Sequence, residues 1–138
     1  TTAASICATN VALIDIAQLK KMAAEFRTVW SLYANGRGTS ADFADRETLD
    51  RAFHNEIVLA TENNYLIDMY HLIREPLNYL SVRTCEFVAS KGERDNIIII
   101  SAQHVDICRA IESGFPEMAR QAMERHIDFC HERCLLDR

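Results

Sequence analysis

The sequence predicts an all-α protein, an antiparallel bundle of about six helices joined by short connections. Three observations predict it. Apolar residues recur at three- and four-residue intervals along most of the chain, the spacing that gathers them on one face of a helix. Four Gly and two Pro in 138 residues leave little turn material for a β-rich fold, while the abundant Ala, Leu, Glu and Arg favour helix. The polar breaks between apolar stretches are brief, which makes successive helices antiparallel neighbours. The length suits one domain with a substantial core, and no repeat, low-complexity stretch or second domain is visible.

In chain order, residues 3–8 read as the end of one helix. A wide apolar stripe from Val11 to Leu32 predicts a second, with Asn10 as its N-cap. NGRG at 35–38 ends it. Thr39 or Ser40 can cap a third helix, with Asp42 and Asp45 in a first turn where negative charge is favoured. That helix runs to about Thr61, and TENN breaks it. A fourth runs from Tyr65 to about Ala89, carrying Leu66, Met69, Tyr70, Ile73, Leu77, Leu80 and Val88, with Pro76 expected to kink it. KGERDN at 91–96 is a polar loop. The following IIII run alone would suit a strand, but Ile100, His104, Ile107, Cys108 and Ile111 hold helical spacing, so a fifth helix is expected from roughly Ile98. Gly114 suits the position after that helix and Pro116 the first turn of a sixth, whose face aligns Ala119, Ala122, Met123, His126, Ile127 and Cys130.

Net charge is −5 and no basic patch is interleaved with aromatics, so this segment is a poor candidate for gripping nucleic acid itself. Five cysteines without a close CxxC pair read as reduced thiols in a cytoplasmic protein rather than a disulfide scaffold. The N-terminus lacks the basic and apolar regions of a signal peptide, and IIII is far too short to cross a bilayer. The chain opens without Met, and TTAASICAT resembles a helix tail. An excised fragment missing its N-terminal part is the expectation.

The chemistry concentrates in LDRAFHNEI, residues 49–57. Asp50 and His54 are four apart, one above the other on a helix with Cβ atoms about 5–6 Å apart. Leu49, Phe53 and Ile57 fall on nearly the same face, so both polar groups point toward what that stripe buries. A carboxylate facing a core is costly unless neutralised. His104 and His126 stand on the apolar faces of two further helices. Each group alone is better read as a satisfied core residue, and Asp50 could pair with an arginine. Four inward groups of the same ligand chemistry on one small bundle ask for a common explanation, and a divalent metal held between facing helices supplies it. One carboxylate and three imidazoles suit Zn²⁺, and also Ni²⁺, Mn²⁺ or Fe²⁺. Such a set leaves the ion with net charge near +1 and open positions for a small anion.

Other candidates fit less well. His71 sits on a mixed face and His131 in a polar run, so both read as surface residues. Cys108 and Cys130 each follow a candidate ligand by four residues, but small core residues are the better reading. Glu56 is two residues past His54 and points away. The charges around Arg120, Glu124 and Arg125 make a solvated face.

With these residues in view, the sequence resembles the FCD effector-binding domain of FadR-type GntR transcription regulators over nearly its whole length. LDRAFHNEIVLATENNYL is similar to that family's D-x-x-F-H segment with an Asn nine residues on, here Asn63. HVDICRAIESGFPEMARQAMERHI is similar to its second signature, a His, a Gly-centred turn and a final His. The resemblance implies a FadR C-terminal-like bundle with Asp50, His54, His104 and His126 as metal ligands. It implies an effector, a small carboxylic or sugar acid, that touches the metal and nearby polar groups, Asn63 among the candidates. Arg74 is the candidate carboxylate partner, since a guanidinium holds a carboxylate bidentately, and Arg83 is the alternate. It further implies a homodimer and operator DNA bound through an N-terminal winged helix-turn-helix, which is absent from this segment. The expectation is therefore a non-enzymatic sensor domain spanning residues 1–138. A metal-dependent hydrolase or transferase on a helical bundle is the main rival, and a metal-free helical interaction module a third reading.

Overall fold

The structure, a computed structural model, describes residues 1–35, 37, 40–90 and 94–135, and within these nothing is said of the side chains of 33–34, 40–46, 80–81, 84–90, 94, 97 and 133–135. Six helices follow one another: α1 Thr2–Thr9, α2 Ile16–Ala34, α3 Ser40–Leu59, α4 Asn64–Ser90, α5 Arg94–Glu112 and α6 Pro116–Leu135, with a single 3₁₀ turn at Val11–Leu13 between the first two. No strand is present among the described residues.

The helices pack through the faces their sequences mark. On α2 the residues Leu19, Ala23, Phe26 and Trp30 are buried, a 4-3-4 spacing. On α5 the buried residues include Ile100, His104, Ile107, Cys108 and Ile111, and on α6 they are Ala119, Ala122, Met123 and His126. Helix α2 lies against α5 and α3, α5 against α6, and α1 against α6. Alanines at 4, 8, 110, 119 and 122 let these helices approach closely. The Cys7 thiol donates to the Ile57 carbonyl at 3.3 Å, tying α1 to the end of α3.

Several boundaries differ from expectation for identifiable reasons. Asn10 makes no capping side-chain bond. Asp15 caps α2 instead, its Oδ1 accepting from the Gln18 N–H at 2.9 Å, because Ile14 is extended (ψ 135°) and the chain turns into helix only after it. Helix α5 starts at Arg94, four residues before the expected Ile98. Asp95 in its first turn favours the helix dipole there, so the whole isoleucine run is helical. Gly114 adopts φ 72°, as a residue terminating α5 should. Helix α4 contains Pro76, but the stripe expected to bury it does not: Met69, Ile73 and Leu77 stay substantially exposed, and the side chains of Leu80 and Val88 lie outside the described residues. So do the capping position at Thr39 or Ser40, the acids at 42 and 45, and Gly36 and Gly38.

Candidate metal centre and cavity

Asp50, His54, His104 and His126 converge from α3, α5 and α6. Their ligand atoms all lie within 4.8 Å of one another. Asp50 Oδ1 is 3.2 Å from His104 Nε2 and 3.8 Å from His54 Nε2, and His54 Nε2 is 3.2 Å from His126 Nε2. Two donors each about 2.1 Å from one ion stand roughly 3.0 to 3.4 Å apart at octahedral or tetrahedral angles, which two of these separations match.

The hydrogen bonds on the far sides of the rings strengthen that reading. His104 Nδ1 lies 3.1 Å from the Ile100 carbonyl oxygen. A carbonyl can only accept, so Nδ1 carries a proton there, and Nε2 is the ring nitrogen turned toward Asp50. That Nε2 is buried and has no hydrogen-bond partner. His126 Nδ1 likewise faces Gln103 Oε1 at 3.2 Å, leaving its Nε2 for the cluster. Ligating histidines are oriented this way, the second nitrogen anchored to an oxygen. Aromatic rings hold the His104 imidazole further: Phe26 stands 4.3 Å away between centroids and Phe53 4.6 Å, edge to face. His54 and His126 are stacked with centroids 5.1 Å apart.

Electrostatics favour a cation. Burial pushes His54 down to about 4, Asp50 opposing and His104 reinforcing. Burial also holds His126 well below its ordinary value, with His104 and His54 adding to the effect. For Asp50, burial works upward, but the contact with His104 and the charge of the surrounding imidazoles outweigh it and keep the carboxyl well below the usual carboxylate range. Asp50 is thus held ionised while burial disfavours protons on His54 and His126, the direction in which a metal ion needs its ligands to lie. The four residues are placed to hold a metal ion.

A cavity of about 540 Å³ opens over this cluster, within the range of small-molecule sites. Asp50, His54 and His126 form part of its floor. Its walls include residues the sequence reading missed: Arg51, Tyr70, Ile73, Leu77 and Asn78. Arg51 directly follows a ligand, and α4 residues 66, 70, 73 and 77 share a helical face, the signals that could have found them. Burial raises the Tyr70 hydroxyl and the nearby Asp50 adds to this, so it is a neutral donor at neutral pH; Arg74 and Arg51 work the other way.

The structure places the other candidates elsewhere. Arg74 is exposed on α4, its Nε 3.4 Å from Glu75 Oε1, and does not line the cavity, though it is near enough to act on Tyr70. Arg83 is exposed and also outside the lining. Asn63 caps α4, its Oδ1 accepting from the Leu66 N–H at 3.2 Å. His71 is exposed. His131 is exposed too but borders the cavity, as does the half-buried Cys130.

The family model described as FCD domain matches residues 1–129. The chain belongs to the FCD domain family. FCD domains are the ligand-sensing regulatory domains of GntR-family regulators. No described helix of this FCD domain is long and apolar enough to cross a membrane.

Proposed function

We propose that this FCD domain senses a small organic acid whose carboxylate is drawn to a divalent metal held by Asp50, His54, His104 and His126, zinc being the best match to the donor set. The observation that carries the reading is the convergence of those four side chains, three of which, Asp50, His54 and His126, line an open cavity. The ion, when bound, supplies a Lewis-acidic anchor of net charge near +1. The protein's own residues do the rest: Gln103 and the Ile100 carbonyl orient the imidazoles, and Arg51 and Tyr70 offer donors above the floor. Membership of a regulatory family sets this reading above the metal-dependent hydrolase.

The domain works as a homodimer in the cytoplasm, and an N-terminal winged helix-turn-helix carries operator DNA. Support for the dimer comes from α4, where Tyr65, Met69, Leu72, Pro76 and Tyr79 recur at 4-3-4-3 spacing on one face, with Tyr65 85% and Leu72 80% exposed. A second copy of the same stripe would cover it. Ile73 and Leu77, a third of a turn away, border the cavity, so a bound acid and the dimer contact bear on one helix. An acid that binds one dimer arrangement more tightly shifts the population toward it.

A thermal-shift screen of small carboxylates, run with and without EDTA, tests this. The purified protein should carry about one equivalent of transition metal, and hits should vanish on chelation. Protein that binds no transition metal, or hits indifferent to EDTA, would overturn the metal-anchored site.

A further inference from the structure

We infer that the acid this cavity takes is an apolar monocarboxylate, an alkyl or aryl acid, and not a polyhydroxylated sugar acid. The inference rests on the sensor reading above and adds the chemistry of the ligand's far end. Apart from Asp50, His54, His126 and Arg51, the polar lining of the cavity is limited to Thr1, Tyr70, Asn78 and His131, and most of the remaining lining is apolar. That apolar wall includes Ile57 and Val58 of α3, Ile73 and Leu77 of α4, and Met123 and Ile127 of α6.

Three of these wall residues are large apolar side chains left open: Ile73 is 51% exposed, Leu77 42% and Ile127 43%. They border the cavity from two different helices, and an alkyl or aryl chain lying between them would cover them. A sugar acid would set hydroxyls against the same surface. Away from the cluster and Arg51 only Tyr70 and Asn78 of α4, His131 of α6 and Thr1 line the cavity to receive them, and every hydroxyl left unpaired keeps the full cost of its lost water. The carboxylate lies at the metal end, within reach of the Arg51 guanidinium, which is exposed at the rim and bonds weakly to Thr48 at 3.5 Å.

Titration calorimetry on the zinc-loaded 138-residue chain tests this with straight-chain monocarboxylates of increasing length, and with gluconate and glucuronate. Affinity should rise roughly four-fold per added methylene until the cavity is filled, with both sugar acids weaker than the shortest alkyl acid that binds. Leu77→Gln, at an exposed position that folding does not depend on, should flatten the length dependence and leave zinc affinity unchanged. Arg51→Gln should weaken all the monocarboxylates by roughly ten-fold or more without altering the slope. Sugar acids binding more tightly, with no gain from chain length, would overturn the inference while leaving the sensor reading intact. If neither series bound the zinc-loaded protein, both would fall.

Discussion

Helices α2, α3, α5 and α6 meet in a buried core: Leu19, Trp30, Ile107 and Ile111 are all 0% exposed, Phe53 and Ile57 1% and Met123 5%. Along α4 no described residue is fully buried, and Tyr65 and Leu72 are among the most exposed apolar groups of the domain. The metal cluster belongs wholly to the packed half. Its candidate ligands sit on α3, α5 and α6, and the His104 ring is held between Phe26 and Phe53. Helix α4 gives no ligand and instead closes one side of the cavity. On the proposed reading the packed half would hold the ion and α4 would front the ligand, and regions with few buried apolar contacts open at the lowest cost.

The sharpest way to break this contrast is at His104. Replacing it with Ala removes a ligand and empties the space between Phe26 and Phe53. Metal content should fall from about one equivalent to none, and the apo protein should lose about 2–4 kcal/mol of stability. In the wild type, metal at about a thousand times its Kd should add roughly 4 kcal/mol more, which the variant cannot gain. Metal analysis with denaturant melts in EDTA and in zinc reads both. A variant that kept its metal would detach the cluster from the packed half.

A paired truncation follows, smaller in effect. Ile107→Ala in α5 should cost about 2–5 kcal/mol, as for a fully buried aliphatic group. Leu72→Ala on α4 should stay within about 0.5 kcal/mol in the monomeric state. Equal losses at the two positions would mean that α4 is as firmly packed as the rest.

Thiols draw the same line chemically. Burial pushes Cys7 up to about 11 and Cys108 up to about 12, from an ordinary 9.0. The folded state holds these protons more tightly than the unfolded state does. Stability should accordingly be unaffected by them below about pH 9 and fall as pH climbs toward 11 to 12. At pH 8, peptide-resolved alkylation should leave Cys7 and Cys108 unmodified in the folded protein and label Cys130, which borders the cavity. Labelling of Cys108 as fast as Cys130 would show that the packed half opens as readily as the cavity wall.

How much of this was legible in the sequence follows the same division. Helical spacing marks Leu19, Phe26, Ile107 and Ile111, because residues that bury one face must repeat with the helix. The four cluster residues were legible as a set because polar groups on apolar faces demand a partner. The cavity wall was not. Ile73 and Leu77 carry the same spacing as core residues, and periodicity cannot distinguish a face that packs on protein from one that fronts a cavity. Gln103, next in sequence to His104 but aimed at His126, depends on how α5 and α6 cross, and no local pattern encodes that. Arg74, an attractive carboxylate partner by residue type, lies beyond the lining because α4 turns it outward toward Glu75.

Small effects of opposite sign are expected at the two corners that join these regions. Gly114, between α5 and α6, and Glu62, between α3 and α4, hold positive φ values of 72° and 53°. At the packed corner the residue that tolerates this conformation is in place. A Cβ at Gly114 would meet only the Ala8 carbonyl oxygen at 3.9 Å, ordinary contact, so Gly114→Ala should cost about 1 kcal/mol through backbone conformation alone. At the α4 corner the side chain of Glu62 carries that penalty already, so Glu62→Gly should be neutral or stabilise by up to about 1 kcal/mol, the gain limited by the freedom glycine adds to the unfolded chain. Urea melts of the two variants should therefore move in opposite directions or, for Glu62→Gly, not at all. A clear loss at Glu62→Gly would mean that its side chain helps to hold α4 in place, and the helix would be more firmly anchored than its exposed faces imply.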